Sequence, residues 1–249
     1  MMERINGKLI MGALKYLESI QEGNSISAIE YYKQLYSDVM VEIITGPITT
    51  NSINIKDIED FVSKVNQEFI ESDNFKKISE AIDSINNALK ENKASNLYLI
   101  EYKLFDNYTV LISVVDRSTE DHIVEWCDNG CILRCSKDGK VASVILIELE
   151  PTDDRKRRYI PIFHELAHAI ISVEHQAYLG KVIPDITDDE YLVFDEILID
   201  LISINHLTGM PYGECIKEIK YMGYQNELLS KEVDRICNEL LEEFEKESK

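Results

Sequence analysis

Pro161-Ile162-Phe163-His164-Glu165-Leu166-Ala167-His168-Ala169-Ile170-Ile171 reads as a single helix that is apolar enough to be buried and yet carries chemistry. Positions i and i+4 of an α-helix lie one above the other, so His164 and His168 can turn both imidazoles toward one ion. Neutral imidazole is a natural ligand for zinc, and these two residues are the expected metal ligands. Glu165 stands beside the first of them, on the open side of such an ion. There it is the expected catalytic residue: a carboxylate that takes a proton from a metal-activated water and later passes it to a leaving amine. Zinc brings the pKa of a bound water to about 7, so hydroxide is available at neutral pH. The plain alternative is a buried helix with two incidental histidines, but both rings would then need other buried partners.

A third ligand is required, and the next helical stretch offers it. Residues 189–204 are apolar nearly all round after Tyr191, the mark of a buried helix. Asp195, Glu196 and Asp200 nevertheless lie within it, and carboxylates are rarely buried without a partner. Glu196 is the expected third metal ligand. Asp200, one turn on and on the same face, is expected to accept the second N–H of a ligand histidine. Asp195 is expected to point away toward a solvated edge. Among residues close enough in sequence to stabilise an oxyanion, Tyr178 and His206 come first, followed by Tyr191, Tyr212 and Tyr224.

His164-Glu165-x-x-His168 followed by Glu196-x-x-x-Asp200 resembles the gluzincin group of zincin metallopeptidases. In its thermolysin-like members two histidines and a downstream glutamate hold zinc, and an aspartate supports them. The spacing between His168 and Glu196 is also similar to that of ImmA/IrrE-type intracellular proteases, which cleave repressors. The resemblance covers residues 163–203. The chain has Asp195 where the thermolysin-like enzymes carry asparagine, and Glu196-Ile197-Leu198 where ImmA/IrrE proteins commonly read Glu-Ala-Asn. A metzincin arrangement fits poorly, because His175 follows His168 without the glycine turn of that group. The resemblance implies a zinc metalloendopeptidase acting on a peptide or protein. A regulatory protease for one repressor and a non-catalytic zinc-binding interaction protein are the alternatives.

Upstream of this helix the pattern changes twice. Residues 97–104, 108–115, 122–126, 131–135 and 141–149 are short runs rich in β-branched and aromatic side chains. Turn signals at Asp106-Asn107, Asp128-Asn129-Gly130 and Lys137-Asp138-Gly139 separate them, which predicts an antiparallel meander of four or five strands. An exposed edge of such a sheet can hold an extended peptide by strand addition. Before about Lys93, apolar residues recur at helical spacing: Leu9, Leu14 and Leu17; Ile29, Tyr32 and Leu35; Ile58, Phe61 and Val62; and Ile78, Ile82 and Ile85. Ser25 or Ser27 caps the second of these helices, and Gly46-Pro47 follows its end. Further helices are expected over 159–176, 188–207, 212–222 and 227–247. The predicted fold is therefore α+β: an N-terminal helical region over 1–93, then a zincin-like domain over 94–249 made of the sheet and the C-terminal helices.

Composition bounds the function. The chain of 249 residues has 26 basic and 46 acidic side chains, a formal charge of −20, which disfavours direct contact with nucleic acid or anionic lipid. No apolar run reaches membrane-span length and no secretory leader is evident, so a cytoplasmic protein is expected. Five cysteines, an odd number without a disulfide-framework spacing, agree with a reducing compartment. The spacing of Cys127, Cys131 and Cys135 raises a second metal as an alternative, but they read more simply as small hydrophobic groups. The basic run over 155–158 reads as a solvated connection into the active-site helix.

Overall fold

The computed structural model describes residues 4–19, 27–45, 50–127, 129–222 and 226–247. Its fold is α+β, with helices on both sides in sequence of a four-stranded sheet. Ser25, Gly46-Pro47, Asp128 and Tyr224 lie outside the described residues. The contacts divide the chain into one unit of residues 1–36 and 166–249 and another of residues 37–165, so the helices before Lys93 are shared between the two.

The first unit is helical. α1 (Gly7–Ser19) buries Leu9, Ile10, Ala13, Leu14 and Leu17 on one face, and the Asn6 side chain accepts the Leu9 N–H at 3.0 Å where the helix begins. α2 (Ala28–Thr45), whose first turns belong to this unit, starts on Ser27, whose hydroxyl accepts from the Glu30 N–H at 3.2 Å. Later in the chain come α6 (Asp188–Thr208), α7 (Tyr212–Met222) and α8 (Glu227–Glu247). A Cβ on Gly7 would stand 2.3 Å from the Leu240 backbone nitrogen, so α1 meets α8 at a point that admits only glycine. α6 is the central helix, with Val193 to Ile204 buried save for Glu196. Its N-terminus carries a complete capping box between Thr187 and Glu190, and Arg4 binds the Glu190 carboxylate from outside. Gly209, at φ 68°, closes its C-terminus in the left-handed conformation.

The second unit holds the sheet. α3 (Ile55–Ser63) and α4 (Asp73–Lys90) are capped by Asn54 and Ser72, and a 3-10 turn, Gln67–Glu71, joins them. Their apolar faces form one core with β1 (Ala94–Phe105), β2 (Tyr108–Arg117), β3 (Gly130–Lys137) and β4 (Lys140–Leu149), including Ile58, Phe61, Ile82, Leu97, Val115 and Val144. β1/β2 and β3/β4 are the expected hairpins; Asp138 and Gly139, at φ 52° and 76°, make the second turn. The meander is not formed. The order is β1-β2-β4-β3, and β2 runs parallel to β4 from Tyr108↔Val141 to Asp116↔Leu149. The reason is burial: β2 and β4 are mostly apolar and buried on both faces, so they take the two central places, while β1 and β3, which are only partly buried, become edges.

Residues 122–126 are not a strand. They form a bend whose backbone N–H groups at Ile123 and Val124 donate to the buried Glu148 carboxylate at 3.0 and 2.7 Å. An apolar segment that could have joined the sheet instead satisfies a buried charge, which Arg117 also faces at 3.7 Å. Among the described residues, no helix is long and apolar enough to cross a membrane.

Candidate metal centre

β4 leads through five residues into α5 (Arg155–Val182), the helix that carries the histidines. Arg158 fixes the entry: it donates to the Glu150 carbonyl at 2.6 Å and pairs with Asp116, which also accepts from Asn96 at 2.9 Å. The one side chain of the basic run that is described thus has a structural task. Six residues further on α5 presents His164, Glu165 and His168, with Glu165 and His168 each only 6% exposed.

One ligand atom from each of His164, His168 and Glu196 lies within 4.8 Å of the others, and among the described residues no other group of three potential ligands comes together. His168 Nε2 stands 3.6 Å from Glu196 Oε1. Ligands about 2.0–2.1 Å from a tetrahedral ion are separated by about 3.3 Å, so a small side-chain adjustment would bring both to one zinc. Two imidazoles and a carboxylate are also a donor set that catalytic zinc uses. The residues present therefore fit the metal.

The support for His168 differs from the expectation. His168 Nδ1 lies 2.9 Å from Asp195 Oδ2, so Asp195 and not Asp200 accepts from this ligand. Asp195 is 7% exposed and does not reach a solvated edge; Ser172 Oγ donates to its Oδ1 at 2.9 Å, and His175 Nε2 shares that oxygen. Asp200 lies 3% exposed on another face of α6, near Cys237 of α8, whose thiol its charge helps to push up. The geometry explains the exchange: Asp195 and Asp200 are five residues apart, about 500° of helical turn, and so point some 140° apart. Burial alone would raise the Asp195 carboxyl. The hydrogen bond and charge of His168, the charge of His175 and the Ser172 hydroxyl outweigh burial and hold it below the usual carboxylate range.

The two leading oxyanion candidates stand elsewhere. Tyr178 lies 14 residues beyond His164 on the same helix, about 21 Å along its axis. Its hydroxyl meets α1 at Gly12, and its ring packs on Tyr16 at 5.4 Å. His206 sits edge-on between Tyr32 and Tyr36, with centroids 5.6 and 5.2 Å away. Tyr212 stacks on Phe244, and Tyr191 faces His175 at 5.7 Å.

Within the second unit, β3 approaches Glu165. A Cβ on Gly130, the first residue of this edge strand, would stand 2.8 Å from Glu165 Cγ and 2.9 Å from its Oε1. Cys127 also lies beside Glu165. Its thiol is pushed far up by the hydrogen bond with Cys131, then by burial and by the neighbouring charges of Cys131, Glu165 and Glu148. A thiol so raised is a neutral packing group, which agrees with the hydrophobic reading of these cysteines.

Sequence reasoning missed Asp195, Ser172, His175 and Gly130. One signal was available: His168, Ser172 and His175 follow at i, i+4 and i+7 on an otherwise apolar helix, a polar stripe that called for a buried partner. Gly130 had no such signal beyond its place in a turn. Comparison with models of known protein families finds no match, and comparisons with curated proteins and with solved structures also find none.

Proposed function

We propose that this chain is a zinc-dependent metallopeptidase, with His164, His168 and Glu196 as metal ligands and Glu165 as the general base. The observation that carries the reading is the convergence of those three donor side chains within 4.8 Å, from stretches of two helices whose neighbouring residues are mostly buried and apolar. A bound zinc ion supplies Lewis acidity, making a water nucleophilic near neutral pH and polarising a carbonyl. His168 presents Nε2 toward the ligand group because its Nδ1–H is held by Asp195. Glu165, 6% exposed, accepts the proton of the attacking water and returns it to the leaving amine.

The peptide-bond assignment rests on the strand beside it. β3 is an edge of the sheet, and its first residue lies against Glu165, so an extended chain added along that edge would run its backbone past Glu165. The charge of −20 disfavours a polyanionic substrate. A cytoplasmic setting goes with this reading, since the five thiols are free and suit a reducing compartment.

The test is metal content by mass spectrometry together with hydrolysis of a mixed quenched-fluorescent peptide set. Wild type is expected to hold about one zinc per chain and His164→Ala to lose it. Glu165→Gln is expected to keep the zinc and lose at least ~100-fold in rate. Absence of zinc from wild type after reconstitution would overturn the reading. Tight zinc with no hydrolysis of any peptide would favour a non-catalytic interaction protein.

A further inference from the structure

We infer that His175 is a positioning residue for the metal centre, acting through Asp195 to fix the ring of His168. The inference rests on the zinc reading above and adds to it a residue that no part of the ligand motif contains.

His175 is wholly buried, seven residues beyond His168 on α5, with Ser172 between them on the same face. All three converge on one carboxylate. Asp195 Oδ2 takes the His168 Nδ1–H at 2.9 Å, while Oδ1 takes the Ser172 hydroxyl at 2.9 Å and His175 Nε2. The His175 ring is itself fixed by edge-on contacts with Phe194, 5.3 Å away at 89°, and Tyr191, 5.7 Å away at 61°. The Tyr191 hydroxyl accepts from Gln176 at 3.2 Å.

The consequence follows from the mechanics of a carboxylate. The terminal torsion of aspartate is broad, so a lone Asp195 could turn either oxygen toward His168 or swing toward Glu196, its neighbour in sequence. Two donors on Oδ1 remove that freedom and leave Oδ2 aimed at Nδ1. His168 is then held in the tautomer whose Nε2 lone pair faces the ligand group, with the ring plane set. Disturbing such an outer partner typically costs 10–100-fold in metal affinity.

Three substitutions separate positioning from packing. His175→Phe keeps the ring and removes the donor. His175→Gln places an amide N–H near the position of Nε2, whereas His175→Asn stops one carbon short. Zinc affinity by competition with a chromophoric chelator is expected to fall 10–100-fold in the Phe and Asn variants and to stay within about threefold of wild type in the Gln variant. The visible absorption of the cobalt(II)-substituted protein should shift in the Phe and Asn variants and not in the Gln variant, a change that a purely structural role would not produce. Equal affinity and equal cobalt spectra in Gln, Asn and wild type would overturn the inference while leaving the zinc reading intact. Wild-type protein that binds neither metal would overturn both. The Gln–Asn comparison remains decisive should His175→Phe fail to fold.

Discussion

Replacing Gly130 with alanine tests the role proposed for Glu165 without mutating that residue. The added methyl would stand 2.8 Å from Glu165 Cγ, 2.9 Å from Oε1 and 3.2 Å from Cδ. Carbon atoms rest about 3.5–4.0 Å apart, so close to 1 Å of relief is needed. Gly130 is paired with Ile147 in the β3/β4 ladder, whereas Glu165 can change its side-chain torsions, so the carboxylate is the part that moves. Misplacing a reacting group by about 1 Å costs on the order of 100-fold in rate. That corresponds to about 2.7 kcal/mol of barrier, at about 1.36 kcal/mol per tenfold. The overpacking itself should lower stability by about 1–3 kcal/mol. The three atoms nearest the new methyl all belong to Glu165 and none to a proposed ligand, so zinc content should not change. The assay is kcat/KM on one fluorogenic peptide, with metal content and melting temperature measured on the same preparation. Gly180→Ala on α5 is the control: a Cβ there has nothing within 4 Å, so activity should be unaffected and helix stability should rise by about 0.5–1 kcal/mol. Wild-type kcat/KM in Gly130→Ala would refute the assignment of Glu165 as the proton carrier. Loss of zinc together with activity would mean that the contact supports the ligand helix and does not aim the base.

Two further outcomes follow from the carboxylates and from a half-buried imidazole. Glu196→Gln and Asp195→Asn should each weaken zinc binding at least ~10-fold, whereas Asp200→Asn, on the face toward α8, should leave it unchanged; an equal loss in all three, by chelator competition, would show that the ligand face of α6 is misassigned. His206 has its pKa lowered to about 4 by burial first and by the charge of Lys33 second. Because that is below the unfolded value of about 6.5, the unfolded chain binds the extra proton. The contribution of His206 to stability is complete above about pH 6.5, falls as the pH drops toward 4, and is lost below it. The shift corresponds to at most ~3 kcal/mol, and roughly 1 kcal/mol after allowance for the half-buried ring. His206→Phe should flatten the melting-temperature loss between pH 6.5 and 4 relative to wild type, and parallel curves would refute the assignment.

Much of this was legible in the sequence, for reasons that name themselves. The α5 and α6 segments stood out because histidines and carboxylates inside apolar helices break the local rule, and such breaks cluster at working sites. The hairpins were marked by Asp106-Asn107 and Asp138-Gly139, whose turn chemistry is local. Strand order was not local. It depended on which runs are apolar on both faces, and Tyr108–Arg117 and Lys140–Leu149 do carry that signal beside the alternating β1. The bend over 122–126 was hidden, since its alternation suits a strand and its real partner, Glu148, lies in β4, beyond the β3/β4 turn. The choice between Asp195 and Asp200 turned on helix phase. Spacing from Glu196 favoured Asp200, but the rotation of α6 against α5 sets which carboxylate meets His168, and no pattern within one helix encodes that rotation.

The same carboxylate ties the stability of the helix pair to the metal centre. α6 is buried on nearly every side, so Asp195 would cost several kcal/mol there without partners. Those partners are His168, Ser172 and His175, each buried and each in turn needing an acceptor. Neither helix can therefore bury its polar residues alone, and docking in any other rotation would strand charges on both. The contact that aligns the two helices is the contact that orients the His168 ring. It follows that Asp195→Leu, although apolar like its surroundings, should destabilise the protein with or without metal by leaving His168, Ser172 and His175 unmatched, whereas Glu196→Leu, at a partly buried position that faces His168 Nε2 at 3.6 Å, should abolish metal binding and cost the apo fold less than Asp195→Leu does.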